Sequence, residues 1–424
     1  MIGFLLKGIL RDRSRSLFPF LTVMLGVMLT VFLHCYIRGL ETNFIYSTAR
    51  FSSGHVKIMT RSYAVEADQM PNDLAYIGVE SLLTRLSQEF SELIWTPRIR
   101  FAGLLDVPDE TGEIRVQGPV AGMAIDLLGI QSPEPEIFDL KRALVEGKLP
   151  SGPGEALVSA ELAQSMGLRP GDIATLISST MYGGMAINNF KITGFIRFGL
   201  TALDRGALIA DLRDMQQALD MEDAAGEILG FYKDFVYRDK EAALLAQAFN
   251  ARYQNQEDDL APIMVTLKAQ SGLADLLAMI NVFSSVIILI FVAAMSIVLW
   301  NAGLMASLRR YGEIGLRLAM GESKGHLYSS LILESIIIGF MGSLAGTASG
   351  LAISYYLQSV GIDVSSLMKS SSLFMVEVLR TKVTPFSYVV GFIPGIGASL
   401  LGTAISGLGV YRRETSTLMK ELEG

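Results

Sequence analysis

The sequence predicts a membrane protein of four transmembrane α-helices, one early and three late, with a large α+β extracytoplasmic domain inserted between the first and second. Three observations carry that prediction. Half of the 424 residues are hydrophobic and only 18% are charged, against about 25% in an average soluble domain. Four stretches hold no charged residue: Leu17 to Ile37, Leu276 to Leu308, Ser335 to Ile362 and Val383 to Tyr411. Each supplies the roughly 20 residues that a bilayer-spanning helix needs. Between the first two lies a segment too long for a connector and large enough for one or two folded units.

The elements follow in order. Residues 1–16 form a basic N-terminal segment, and the first span occupies 17–40. Its apolar core is about twice as long as the 7 to 15 residues of a signal peptide and no A-x-A site follows, so it is expected to stay as an anchor. The single cysteine, Cys35, follows His34 where lipoprotein processing would want a small residue. Alone, it excludes an intrachain disulfide and a multi-cysteine metal site, and it reads as a small apolar filler near a helix end.

Threading comes from the basic residues. Lys7, Arg11, Arg13 and Arg15 precede the first span; Arg309, Arg310, Arg317 and Lys324 separate the second and third; Arg412, Arg413 and Lys420 follow the fourth. Positive residues stay in the cytoplasm, so both termini and the loop at 309–326 are expected there. The segment 41–272 and the outer loop at 359–384 are then outside, although that loop carries Lys369, Arg380 and Lys382. From Glu41 to Gly272 there are 20 Lys and Arg against 32 Asp and Glu, a net of −12. An acidic exterior argues against nucleic acid or an anionic lipid surface as partner.

Within the exterior segment, "HVKIMT" alternates like a strand, "VESLLTRLSQEFSEL" has helical spacing, and "IWTPRIRFAGLLDV" is strand-like again. "DFVYR", "KEAALLAQAFNARYQ" and "APIMVTLKA" repeat the strand, helix, strand order. The two units are expected to pair into a mixed sheet backed by two helices. "SPEPE" and "PSGPGE" punctuate the chain between them. "GEALVSAELAQSMGLRPGDIATLI" and "NFKITGFIRFG" then read as an inserted, β-rich subdomain at about 130–220, with a short helix ending near Gly167. His34, His55 and His326 are the only histidines, and the threading scatters them over a span, the exterior and the cytoplasmic side. A catalytic triad or zinc site would need convergence. His55 reads as a surface or sheet residue. No catalytic residue and no metal ligand is assigned.

The second span, 273–308, runs into "RRYGEIGLRLAMGESKGH", Arg309 to His326. On a helix, with Arg309 at zero, Glu313, Arg317 and Arg310 fall at 40°, 80° and 100°, and Tyr311, Ile314 and Leu318 between 140° and 200°. One face is charged and the opposite one apolar, with Leu316 and Met320 spoiling the charged side. Arg309 with Glu313 and Glu313 with Arg317 are i,i+4 pairs, and Gly321 marks a stop. Two readings fit: an interfacial helix that caps two spans, or a docking element that turns the motion of a cytoplasmic partner into tilting of those spans.

"EIGLRLAMGESKGHLYSSLILESIIIGFMGSLAGTASG", Glu313 to Gly350, resembles the signature of the permease subunits of MacB/FtsX/LolCDE-type ABC transporters, with Glu313, Ile314, Gly315, Arg317, Ala319, Gly321 and Glu334 at the matching positions. "EGKLPSGPGEALVSAELAQSMGLRPGD" resembles the middle of that family's periplasmic core domain. The resemblance implies a cytoplasmic coupling helix at 309–326, with Arg309, Arg310, Glu313, Ile314, Gly315, Arg317 and Gly321 docking an ATPase. It also implies a dimer with a second permease copy or paralogue, and cytoplasmic work delivered outside, as mechanotransmission. No G-x-x-x-x-G-K-[ST] loop occurs. ATP and Mg would therefore be handled by the partner subunit, with no cofactor bound directly.

The third span, 327–358, carries Gly342, Gly346 and Gly350, and the fourth, 385–411, carries Gly391 and Gly395. Such spacing makes small faces for close helix packing. Glu334, the one acid at the mouth of the third span, is expected to pair with a base such as Arg317. A proton relay would want several ionisable residues along a path. Residues 412–424 form a cytoplasmic tail. The leading reading is a non-catalytic permease subunit in a bacterial inner membrane, serving lipoprotein release, with a lipoprotein or periplasmic adaptor as a further partner. The alternatives are a MacB-like efflux permease and, from another class, a membrane-anchored extracytoplasmic binding or sensor protein. A membrane enzyme and a proton-coupled carrier rank lower.

Overall fold

The computed structural model describes residues 13–108, 113–253, 258–270, 272–308, 311–363 and 378–412. They divide into two compact units, one from 13–42, 278–363 and 379–412, the other from 43–277.

Helix α1 covers Arg13–Thr48 and ends in a π-helical turn, Ala49–Ser53. Strand β1, Val56–Thr60, follows, buried at every position. Helix α2, Val79–Glu89, buries Val79, Leu82 and Leu86 at three- and four-residue spacing, the stripe that keeps a surface helix on its sheet. Strands β2 to β9 are Leu93–Pro108, Ile114–Ile125, Leu144–Gly147, Glu155–Ser159, Ile173–Ser179, Met185–Ile196, Ala207–Asp211 and Glu227–Tyr232. Helix α3, Asp239–Asn250, and strand β10, Pro262–Thr266, complete the unit.

The strands join one ten-stranded sheet ordered β10-β1-β9-β2-β3-β8-β5-β7-β4, with β6 pairing both β2 and β7. The first four make a split βαβ arrangement, with the two expected strand, helix, strand units interleaved. Their pairing is antiparallel throughout, not mixed, because each crossover skips a strand. The parallel pairs of the sheet, β3 with β8 and β5 with β7, lie elsewhere. The second unit's first strand is "EILGFY", Glu227–Tyr232. "DFVYR" is a loop in which Phe235 has φ 54°, and the fully buried run before it takes the central place.

The β-rich insertion is not a sheet of its own. β2, β3, β8, β5, β7 and β6 close a ring, with Leu104 to Asp106 of β2 pairing Thr175 to Ile177 of β6. Closure leaves no open edge. The barrel therefore takes in the second half of β2 and all of β3, and starts near residue 99 instead of 130. The sixteen-residue β2 serves the antiparallel sheet with its first half and the barrel with its second. One continuous core runs through both, from Leu82, Leu86 and Phe249 on the helices to Leu105, Val158, Leu176, Phe190 and Leu208 inside the barrel. The short helix Ala160–Met166 ends at Gly167, which has φ 63°.

The opposite face of the sheet carries a second cluster around Phe51, Phe138, Leu229 and Phe231, and charges are buried there. Arg98 donates from Nε to Glu134 Oε1 at 2.7 Å and from Nη2 to Oε2 at 2.9 Å. Thr96 Oγ1 donates to the same carboxylate at 2.7 Å, and Arg98 Nη1 donates to the Arg50 carbonyl at 3.0 Å. Lys57 Nζ lies 2.8 Å from Glu227 Oε1, also buried. Burial lowers the Lys57 pKa, and Glu227 opposes that. Each ion has a partner, as desolvated charges require.

The C-terminal helices are α4, Leu273–Leu308; α5, Tyr311–Ala319; α6, Lys324–Val360; and α7, Phe392–Arg412. α7 is preceded by a 3-10 turn at Pro385–Tyr388, where Thr384 and Ser387 form a reciprocal capping box. α1, α4 and α6 have 36, 36 and 37 residues. At 1.5 Å per residue each is about 55 Å long, well beyond a hydrocarbon core of about 30 Å.

Candidate functional site

The short helix α5 sits between two membrane helices in the chain. α4 ends at Leu308, and α5 begins at Tyr311. Arg309 and Arg310 lie outside the described residues, and of Glu313 and Ile314 only the helical backbone is described. Gly315 is buried, while Leu316 and Met320 are exposed by 53% and 73%. These two, which break the charged face on the helical wheel, are one helical turn apart and flank Arg317.

The expected helix over 309–326 is two helices with an elbow. Gly321 has φ +92°, a left-handed conformation that glycine adopts without a Cβ penalty. Its N–H donates to the Leu318 carbonyl at 3.0 Å, and the Glu322 N–H donates to the Arg317 carbonyl at 3.2 Å. This pair of bonds is a Schellman motif, which satisfies the last carbonyls of α5. Ser323 then caps α6, its hydroxyl accepting from the His326 N–H at 3.4 Å.

Across that elbow Arg317 Nε lies 2.9 Å from Glu322 Oε2, and His326 Nε2 lies 3.8 Å from Glu322 Oε1. Arg317 therefore pairs with Glu322, not with Glu334. Glu334 sits on α6 between Leu333 and Ser335, about three turns beyond the elbow, too far along the helix for the pairing read from the sequence. Glu322 lies beyond the periodic face, so helical spacing alone does not single it out. The signal was the residue after a C-terminal glycine, whose backbone returns to the last turn.

Five glycines of α6 and α7, Gly342, Gly346, Gly350, Gly391 and Gly395, lie against α1. A methyl on Gly342 would lie 2.8 Å from Val23 Cγ1, on Gly346 2.5 Å from the Met24 carbonyl, and on Gly350 2.9 Å from the Met28 carbonyl. On Gly391 it would lie 2.5 Å from Val27 Cγ1, and on Gly395 it would overlap the Ser343 hydroxyl. Val23, Val27 and Val31 of α1 thus form a ridge in a groove made of glycine. Close backbone approach of this kind drives helix association in lipid, where apolar side chains gain nothing from leaving their surroundings. Tyr328, two residues after His326 on α6, donates from its hydroxyl to the Ala404 carbonyl at 3.3 Å, tying the start of α6 to α7.

His34 lies in α1, with Nε2 3.3 Å from Thr384 Oγ1. His55 is 2% exposed and takes the sheet position of the two expected, its N–H donating to the Gly230 carbonyl at 2.9 Å beside β1. Its Nδ1 accepts from the Tyr232 N–H at 2.9 Å, and the rings of Phe231, Tyr232 and Tyr237 surround it. Burial lowers its pKa to about 4. Among the described residues no three His, Cys, Asp or Glu side chains come together to hold a metal ion.

Residues 285–415, which contain the elbow and the glycine groove, match the FtsX-like permease C-terminal family model. This part of the chain is an FtsX-like permease domain, and the chain is similar to permeases of the MacB and LolC type. The permease is 23% identical over 239 residues to the lipoprotein-releasing system transmembrane protein LolC of Xylella fastidiosa, a match over 54% of this chain and 56% of that one. It is 29% identical over 126 residues to the macrolide export ATP-binding/permease protein MacB of Hyphomonas neptunium, over 28% of this chain and 17% of that one. The matched part thus spans about half the length of LolC and less of MacB. The crystal structure of the periplasmic region of MacB from Actinobacillus actinomycetemcomitans matches 53% of the permease and 94% of that chain, with 11% identity and a TM-score of 0.36.

Proposed function

We propose that the permease is the non-catalytic membrane subunit of an ABC transporter, and that a separate cytoplasmic ATPase drives movement of its exterior domain by pushing on α5. The observation that carries this reading is the elbow. A nine-residue helix joined to α6 by a Schellman motif and an ion pair, and to α4 through two residues, passes displacement to both instead of absorbing it. In this reading Arg309, Arg310, Glu313, Ile314, Gly315 and Arg317 belong to the docking segment, and Gly321 ends it. ATP and Mg are held by the partner, and a second permease copy or paralogue completes the transporter. The protein lies in the inner membrane with both termini cytoplasmic and the acidic domain periplasmic.

Lipoprotein release from the outer leaflet is the favoured task, with a lipoprotein or periplasmic adaptor as the exterior partner. LolC aligns over 54% of the chain, whereas MacB aligns over 28%. Efflux of the MacB kind is the second reading, favoured by the higher identity of the shorter match. A binding or sensor protein would have no nucleotide-dependent partner.

The test is purification of the tagged full chain from its host in mild detergent, with an ATPase assay of the product. A stoichiometric Walker-motif subunit whose ATPase activity falls on Glu313→Ala is the expected result. A chain that returns alone, or unchanged activity, overturns the reading.

A further inference from the structure

We propose that Arg317 is a positioning residue that sets the angle between α5 and the third membrane helix through Glu322, and is not itself a contact to the ATPase. The proposal rests on the reading of α5 as the docking helix.

Four observations on this one turn support it. Arg317 and Glu322 are joined by backbone, Glu322 N–H to Arg317 carbonyl at 3.2 Å, and by side chain, Nε to Oε2 at 2.9 Å. In a Schellman motif these positions, C3 and C″, ordinarily make a hydrophobic contact; here an ion pair takes its place. The exposures are 34% for Arg317 and 22% for Glu322, so the carboxylate is the more enclosed partner and is turned inward to the arginine. His326, on the first turn of α6, approaches the other carboxylate oxygen at 3.8 Å, so Glu322 spans from the last turn of one helix to the first turn of the next.

The mechanical consequence follows from geometry. Gly321 has open space around it, with nothing within 4 Å of a would-be Cβ, so no side chain is wedged against the bend itself. Two backbone bonds and the Arg317–Glu322 pair cross the bend and resist its opening. An arginine spent on that brace offers its charge to Glu322 first. The exposed Leu316 and Met320 are left as surface for a partner.

The experiment compares Arg317→Gln, Glu322→Gln and the charge swap R317E/E322R in the full chain. One arm needs no partner: spin labels at Leu316→Cys and Ser329→Cys, in a Cys35→Ala background, report the distance across the elbow in nanodiscs. The second arm titrates the ATPase subunit that copurifies with the chain and reads both maximal stimulation and the concentration giving half of it. If Arg317 braces, both glutamine variants broaden the distance distribution, and the swap narrows it again. Maximal stimulation then falls about tenfold in both, as misplacement of a working part predicts, while the half-stimulating concentration stays put. If Arg317 docks, Arg317→Gln raises the half-stimulating concentration, Glu322→Gln does not, and the swap rescues neither readout; that result overturns the proposal. A wild-type chain that stimulates no ATPase overturns the transporter reading, and the spin-label arm still decides the brace.

Discussion

Arg98 and Glu134 form a bidentate ion pair, 2.7 and 2.9 Å long, with side chains 1% and 0% exposed, on the sheet face that α2 and α3 leave free. The ring of Phe138 lies 4.7 Å from the guanidinium carbon. Removing one partner leaves the other charged and dry. Arg98→Met or Glu134→Leu alone is expected to cost about 3–5 kcal/mol, and the double replacement less than either. Denaturant unfolding of the full chain in detergent, followed by Trp95 fluorescence in a Trp300→Phe background, checks this. Additive losses would show that the pair is not coupled.

The glycine groove makes a second prediction with an internal control. Gly346→Leu places atoms where the Met24 carbonyl and Val27 already stand, and overpacking of this kind costs about 1–3 kcal/mol or more. Gly397 lies on α7 with nothing within 4 Å of a would-be Cβ, so Gly397→Ala is expected to be neutral or stabilising, by up to ~1 kcal/mol. The comparison is of thermal aggregation midpoints in one detergent. Equal losses at both positions would refute the groove.

His55 predicts a pH dependence of the exterior domain. Its folded pKa, lowered to about 4 by burial, lies below the 6.5 of the exposed group. The native state therefore favours neutral imidazole, and the unfolded state binds the extra proton between those values. Stability from this group is complete above pH 6.5 and is lost as pH falls toward 4, by up to roughly 3 kcal/mol. His55→Gln should flatten the stability profile over that window. A wild-type profile that is already flat there would contradict the burial argument.

Gly321→Ala isolates the backbone cost of the elbow, since no neighbour is near enough to clash. A left-handed alanine costs roughly 1–2 kcal/mol, and Gly321→Asn, better tolerated at this position, should cost less. The loss is read as a drop in thermal midpoint and as broader spin-label distances across Leu316 and Ser329. Identical behaviour of glycine and alanine would place the bend elsewhere.

The spans were legible because lipid imposes a one-dimensional rule. A charge-free run long enough to cross must be helical and continuous, whatever it packs on. The stop at Gly321 and the small faces of α6 and α7 were legible for a similar reason, since each depends on a residue type at a fixed spacing. "DFVYR" was misread because alternation cannot tell a strand from an extended loop beside one, and "EILGFY" because a fully buried run has no alternation.

The sequence by itself determined the class of protein, the number and order of its spans, the sign of its exterior charge and the amphipathic segment between the second and third spans. These depend on composition and local period alone. Only the tertiary structure decided that β2 is shared by an antiparallel sheet and a closed barrel, that Arg98 finds Glu134 across 36 residues, and that the glycines take in α1 from more than 300 residues away. It also decided that Arg317 turns to Glu322 and not along α6 to Glu334. Pairing of strands and ions is a competition among many candidates of equal local quality, and it is settled only when the chain folds and one partner is close enough to make up for the water that both give up.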